Sequence, residues 1–212
     1  MIRLDIWSDP ICPWCYIGKT ALERALESRP AHPFVIEWHP FQLNPDMPAE
    51  GMDRQEYLSL KFGGTDAVLS AYAPVVERAR AEGLALDLAA ITRTPNTLDA
   101  HRLIHWAGVE GCQSAMVAAL FRAYFREGRD IGDRAVLIEL AALAGLDPDT
   151  TGRLLASDAE CRETAAADRE ARARGITGVP FFVVGGEYAV PGAQKTRMWQ
   201  NVIDDIAGQA RP

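Results

Sequence analysis

No stretch of the 212 residues approaches the roughly 20 consecutive apolar positions that a bilayer-spanning helix needs. Nor does Met1 lead into the apolar run of a signal peptide. Arg3, Asp5, Ser8 and Asp9 follow at once, so the expectation is a soluble, cytoplasmic protein. Basic charge is scarce: 22 Lys and Arg stand against 29 Asp and Glu, and a formal charge of −7 gives the chain as a whole no attraction for nucleic acid or anionic lipid. Cysteine occurs only four times, and in a thiol-reducing compartment a structural disulfide framework is not expected. A close pair among the four then reads as catalytic or metal-binding. Internal repeats and low-complexity linkers are also missing, while 48% hydrophobic content supports a core and excludes a disordered chain.

What remains is the pattern of an α/β protein. Ile2 to Trp7 alternates apolar and polar side chains and breaks at Asp9-Pro10, as a strand entering a loop does. Ile17, Ala21, Leu22, Ala25 and Leu26 recur at helical spacing, and Pro30 marks the stop. Phe34 to His39 is β-rich again. From Asn44 the chain becomes alanine-rich, with helical stripes at Met116, Val117, Leu120, Phe121, Tyr124 and Phe125, and at Val136, Leu137, Leu140 and Ala141 before Gly145. Asp147-Pro148 opens a further helix, and Pro74 predicts a kink or two shorter helices between Asp66 and Glu82. Phe181 to Val184 and Glu187 to Val190 flank Gly185-Gly186, a two-residue hairpin connection that requires positive φ, and Met198 to Ile206 closes the chain as a helix. The predicted order is β-α-β, a large all-helical insertion, then β-β-α. Residues 1–43 and 176–212 share one sheet in this reading, and 44–175 form the inserted domain.

Cys12-Pro13-Trp14-Cys15 falls between the first strand and the first helix, where a thioredoxin-like redox motif belongs. Free amides and the positive dipole end at a helix start favour a thiolate on Cys12, while Cys15 sits one turn inward within reach of its sulfur. Pro13 suits the first turn because it lacks only an N–H that has no helical partner. The dipole is worth ~0.3–1 kcal/mol, below the roughly 1.4 of one pKa unit, so hydrogen bonds from backbone amides or from the Cys15 thiol are expected to do more. Asp9 opposes them if it points inward. Cys12 is therefore the expected nucleophile and Cys15 the resolving thiol. Both are expected at an accessible spot, with Trp14 exposed beside them to meet an apolar substrate group or packed over Pro13 and the sheet.

Gly178-Val179-Pro180 precedes the strand from Phe181. A cis bond there presents the Val179 backbone to an extended substrate, and a trans proline that merely starts the strand is the other reading. Asn96 caps the helix after Pro95, with Asp99 near its positive end. Cys112 and Cys161 read as buried structural thiols. His101 and His105, at i and i+4, either pack in the core, line a cleft or ligate a metal.

These segments, with Ser8-Asp9-Pro10, Pro40-Phe41-Gln42-Leu43-Asn44-Pro45-Asp46, Asn96 to Arg102, Gly128-Arg129-Asp130-Ile131 and Gly178 to Phe181, resemble the DsbA-like branch of the thioredoxin superfamily, and more closely its FrnE-type members. The resemblance spans nearly the whole chain. It implies a thioredoxin-like fold interrupted by a helical domain, a cis Pro180 opposite the cysteines, a substrate-contact role for Asn96 beside Val179 and Trp14, and thiol-disulfide oxidoreductase activity. No bound cofactor is implied beyond the Cys12-Cys15 disulfide itself. The implied partners are thiol or disulfide proteins and peptides, glutathione as an exchange partner, and a second copy in a homodimer. Trp14 stands where DsbA carries a histidine and offers no cation. A DsbA-like couple near −120 mV would in any case stand largely reduced against a cytosolic poise of about −220 to −260 mV, which favours reductase or isomerase service.

Two other readings stay open. Kappa-class glutathione transferases and 2-hydroxychromene-2-carboxylate isomerases have similar architecture but typically use serine at the position of Cys12. They also commonly carry Gly-x-Asp-Arg where Gly192-Ala193-Gln194-Lys195 stands here. A structural zinc module is the reading from another class, since Cys12 and Cys15 have the spacing of half a four-ligand cage, although no second such pair is present.

Overall fold

The computed structural model describes residues 1–209, so the last three positions of the predicted 176–212 segment lie outside it. Strand β1 (Ile2–Ser8), helix α1 (Pro13–Glu27) and strand β2 (Phe34–Pro40) form the opening βαβ unit, with β1 and β2 parallel and Ile6 opposite Trp38. The central segment follows as β3 (Met52–Asp53), α2 (Arg54–Phe62), α3 (Thr65–Ala81), β4 (Arg93–Thr94), α4 (Leu98–Val109), α5 (Gln113–Glu127), α6 (Arg134–Ala144), α7 (Pro148–Leu155) and α8 (Cys161–Ala173). Strands β5 (Phe181–Val184) and β6 (Tyr188–Pro191) and helix α9 (Thr196–Gln209) complete the chain. The main sheet runs β2-β1-β5-β6, and β5 lies antiparallel to β1 with Leu4 opposite Val184. Strands from both ends of the chain therefore meet in one sheet.

Period-two alternation sorts β1 between two layers. Leu4 and Ile6 join Leu22, Phe182 and the fully buried Trp199 in the main core, beneath α1 and α9. Trp7 faces the other way, toward Phe41, Ala171 and Phe181 below α8. The same main core continues into the central helices, where Tyr16 of α1 stacks on Phe121 of α5 at 5.0 Å between centroids and 2° between planes. The outer edge of β2 is covered at Trp38 by Gln113, whose side-chain amide accepts from the Trp38 N–H (2.9 Å) and donates to its carbonyl (3.1 Å).

Three expectations are corrected. The central segment is not all helical, because β3 and β4 pair Met52 with Thr94. Two-residue strands carry no readable period and are set by tertiary contacts, here the Arg54 amide on the Thr92 carbonyl (2.9 Å). Of the kink or two shorter helices predicted at Pro74, the division into two helices comes instead at Gly63 and Gly64, whose φ of +85° and +134° end α2 and start α3, and Pro74 stays inside one helix. The hairpin connection is three residues, 185–187, because Val184 pairs with Tyr188 and the Gly185 amide reaches back to the Arg3 carbonyl at 2.8 Å.

Phe121 is fully buried where α1 meets α5. Phe121→Ala should destabilise the protein by about 3–5 kcal/mol, read as a lowered urea midpoint at unchanged m-value.

Candidate active site at the start of the first helix

Cys12 is the N-cap of α1, with φ −87° and ψ 114°, and Pro13 takes the first helical position. The amides of Cys15 and Tyr16 close the first turn on the Cys12 carbonyl at 3.1 and 3.2 Å. They serve the backbone rather than the sulfur, and no side-chain cap bond forms at Cys12, so of the two donors expected for Sγ, backbone amides or the Cys15 thiol, it is the Cys15 thiol that neighbours it. The Cys12 Sγ instead faces the Val179 carbonyl oxygen at 3.6 Å, at the Val179-Pro180 peptide bond, which is cis. Pro180 is buried against α1, where a Cβ on Gly18 would come within 3.0 Å of its Cγ.

Both cysteines are free thiols, but neither lies open on the surface: Cys12 is 3% exposed and Cys15 1%. The expected accessible pair is thus corrected: Cys12 lines a cavity of about 290 Å³ together with Val75 of α3 and Gly178-Val179, and Cys15 is not part of that lining. Burial, and after it the neighbouring Cys12, pushes the Cys15 thiol up, partly offset by the Ser8 hydroxyl and the Asp9 backbone. Cys15 therefore keeps its proton at neutral pH. Trp14 lines the cavity and packs against Ile17 of α1 and Val75 of α3.

Asn96 does not reach this cavity. Its side chain accepts from the Leu98 amide (2.9 Å) and donates to the Met47 carbonyl (2.6 Å), tying the 42–47 segment to α4. The cap position itself is Thr97, one residue later than expected. Cys112 and Cys161 are half-buried rather than buried, because each stands at the start of a helix, α5 and α8, instead of on an inward face.

The buried group beside the cysteines is Asp9. Its Oδ2 accepts from the Leu43 amide at 2.6 Å and its Oδ1 from the Ile11 amide at 3.3 Å, while its carbonyl holds the Cys12 amide at 2.9 Å. His101 of α4 places Nε2 at 3.8 Å from Asp9 Oδ1, and that nitrogen has no hydrogen-bond partner. Burial lifts the Asp9 carboxyl from its ordinary 3.8 to about 7 against those hydrogen bonds. Burial likewise holds His101 down from 6.5 to about 4, against the field of Asp168. The pair is thus a carboxylic acid beside a neutral imidazole through the mildly acidic range. His105 is exposed and pairs with Glu160 at 3.2 Å.

Arg54, Tyr57 and Lys61 also line the cavity, with Tyr72 of α3. The sequence reading missed them, although positions 54, 57 and 61 form an i, i+3, i+7 stripe on α2 that was there to be found. Among the described residues, one cluster has metal-ligating geometry, Asp5, Glu37 and His39, and it does not include the cysteines. The guanidinium of Arg3 already lies against its two carboxylates, at 2.8 Å from Asp5 and 3.8 Å from Glu37.

A family model for DSBA-like thioredoxin domains matches residues 3–204. The chain belongs to the DsbA-like thioredoxin family. This DsbA-like chain is 34% identical to a protein of Streptomyces coelicolor described as a probable DsbA oxidoreductase, over 100% of this chain and 92% of that one, with a TM-score of 0.85. A 2-hydroxychromene-2-carboxylate isomerase shares the fold at 16% identity and a TM-score of 0.74, covering 98% of this chain and 97% of its own. The cytosolic disulfide reductase DsbM of Pseudomonas aeruginosa, solved with GSH, does so at 20% and 0.65, covering 97% and 99%. No helix of the DsbA-like chain is long and apolar enough to cross a membrane among the described residues.

Folding moves a proton from histidine to aspartate without changing their total. Between about pH 4 and 6.5 the folded pair is Asp-COOH with neutral His, and the unfolded pair is carboxylate with imidazolium. Wild-type stability should therefore be nearly independent of this pair over that range. In Asp9→Asn only His101 remains: the unfolded state binds the extra proton, so stability should rise from pH 4 to 6.5. In His101→Gln only Asp9 remains, the folded state holds the extra proton, and stability should fall from pH 4 to 7. Each slope should reach up to about 1.4 kcal/mol per pH unit in urea titrations.

Proposed function

We propose that this DsbA-like protein is a cytoplasmic, FrnE-type thiol-disulfide oxidoreductase working in the reductase or isomerase direction through Cys12 and Cys15. The observation that carries the reading is the arrangement of the two sulfurs. Cys12 faces a cavity at the start of α1, and Cys15 lies behind it, buried and protonated. A nucleophile lining a cavity with a resolving thiol held in reserve behind it suits exchange chemistry.

The Cys12 thiolate attacks one sulfur of a substrate disulfide. The substrate S–S bond breaks, its other sulfur leaves as a thiolate that takes up a proton from solvent, and Cys12 becomes joined to substrate. Cys15 then loses its proton and attacks the Cys12 sulfur, the mixed disulfide breaks, and the substrate leaves as a dithiol. The Cys12-Cys15 disulfide formed is reduced again by an external dithiol or by two equivalents of a monothiol, of which glutathione is one. The backbone at Val179, facing the Cys12 sulfur, suits pairing with an extended peptide substrate. The name of the cytosolic reductase DsbM, which shares the fold, supports both the direction and the compartment.

Reduced protein incubated with insulin should yield covalent mixed disulfides in Cys15→Ser and none in Cys12→Ser, seen by non-reducing electrophoresis and mass mapping. Insulin reduction should fall by roughly 100-fold or more in either variant. Trapping through Cys15 alone would reverse the assignment. Saturable turnover with glutathione after both cysteines become serine would instead favour an isomerase or transferase.

A further inference from the structure

The cavity beside Cys12 is positively charged in a chain of net charge −7. Its lining includes Arg54 and Lys61 and no Asp or Glu. Arg54 is 6% exposed, and its guanidinium donates to neutral oxygens: Thr94 Oγ1 at 3.2 Å, Tyr124 Oη at 3.5 Å and Tyr72 Oη at 2.5 Å. Among the described residues, no carboxylate lies within 4.0 Å of it. Glu77, the acid lining the adjoining α2–α3 groove, makes no ion pair with it. The buried acid Asp9 is occupied by Ile11 and Leu43.

A buried guanidinium surrounded by hydroxyls is fixed in orientation but not neutralised, and burying an unpaired charge is costly. Its planar fork matches a carboxylate. Both cations also lie over tyrosine rings, Arg54 at 5.8 Å from the Tyr57 and Tyr72 centroids and Lys61 at 5.1 Å from that of Tyr57, but Lys61 is exposed, so its charge is shared with solvent.

We propose that Arg54 is a specificity-determining residue that receives a carboxylate of the substrate, so that the protein exchanges with acidic thiols and disulfides in preference to neutral ones. This rests on the exchange chemistry proposed above and names the substrate class of that same site. The carboxylate takes no part in bond exchange. It holds the substrate while its sulfur meets Cys12. A cavity of about 290 Å³ accommodates a small carboxylate-bearing disulfide, and the same chemistry is offered by an acidic residue flanking a cysteine in a peptide.

The test is a single-turnover reaction of the reduced, full-length protein with an aromatic disulfide bearing ring carboxylates and with its carboxamide twin. Each rate is divided by that of free dithiothreitol to remove intrinsic reactivity. Wild type should prefer the carboxylate by about ten-fold or more. The preference should collapse toward unity in Arg54→Gln and survive in Lys61→Gln. A pair of disulfide peptides, with Glu or Gln beside the cysteine, assigns the carboxylate to its source: whichever of the two pairs is better discriminated represents the natural substrate. Equal normalised rates in wild type would overturn the role of Arg54, and so would loss of the preference in Lys61→Gln. Because the wild-type ratio and the exposed Lys61 variant both decide, a poorly folding Arg54→Gln does not rescue the idea. No reaction at Cys12 with any compound would sink the exchange reading itself, and this inference with it.

Discussion

The carboxyl of Asp9, buried without any exposed surface, is the knot on which the redox loop hangs. One oxygen holds Leu43, the other Ile11, and the backbone carbonyl of the same residue holds Cys12. A buried acceptor left unsatisfied costs about 1–3 kcal/mol, so these bonds fix where the loop after β1 and the segment after β2 cross. From that crossing the order spreads outward. The Gln42 amide donates to Asp168 at 2.8 Å, and Arg172 pairs with Asp168 at 3.0 Å while its guanidinium lies 4.1 Å from the Phe41 ring centroid. Asn96 then joins Met47 to α4. The segment after β2, tied to the cysteine loop through Asp9, is held in turn by Asp168 and Arg172 of α8 and by Asn96 just before α4.

This arrangement separates two electrostatic environments a few residues apart. Behind the cysteines, Asp9 and His101 are both uncharged through the mildly acidic range, because burial disfavours the carboxylate more than its hydrogen bonds favour it and disfavours the imidazolium more than the field of Asp168 favours it. In front of them, the cavity carries guanidinium and ammonium groups without carboxylates. A chain acidic overall thus turns a positive recess toward its reactive sulfur. Net charge describes long-range attraction, and the site works at a shorter range than that.

Legibility followed the length scale of each signal. The strand at Ile2 to Trp7, the stripe from Met116 to Phe125 and the cap-and-proline start at Asp147-Pro148 were all readable, because alternation, helical period and capping are complete within about a dozen residues. Cys12 and Cys15 announced themselves by spacing and position. The two-residue strands β3 and β4 had no period to read, and the Gly63-Gly64 break lost to the louder proline eleven positions from the first glycine. Asn96 was recognisable as a residue of a helix start, but its second bond, to Met47, depends on a segment 49 positions away. Arg54 was missed because the 54-57-61 stripe of α2 is polar, and which cavity it lines depends on α3 and the cysteine loop.

The sequence by itself determined the order of elements, the placing of a cysteine pair at the first helix and the hydrophobic faces that draw both chain ends into one sheet, since these are local periodicities that backbone geometry converts directly into structure. Tertiary structure alone decided that Cys12 lies at the end of a cavity rather than on the surface, that Asp9 meets His101, and that Arg54 is buried among tyrosines. Those outcomes depend on how much water and which charges surround a group. That environment is assembled from segments 40 to 170 residues apart and is written in no single one of them.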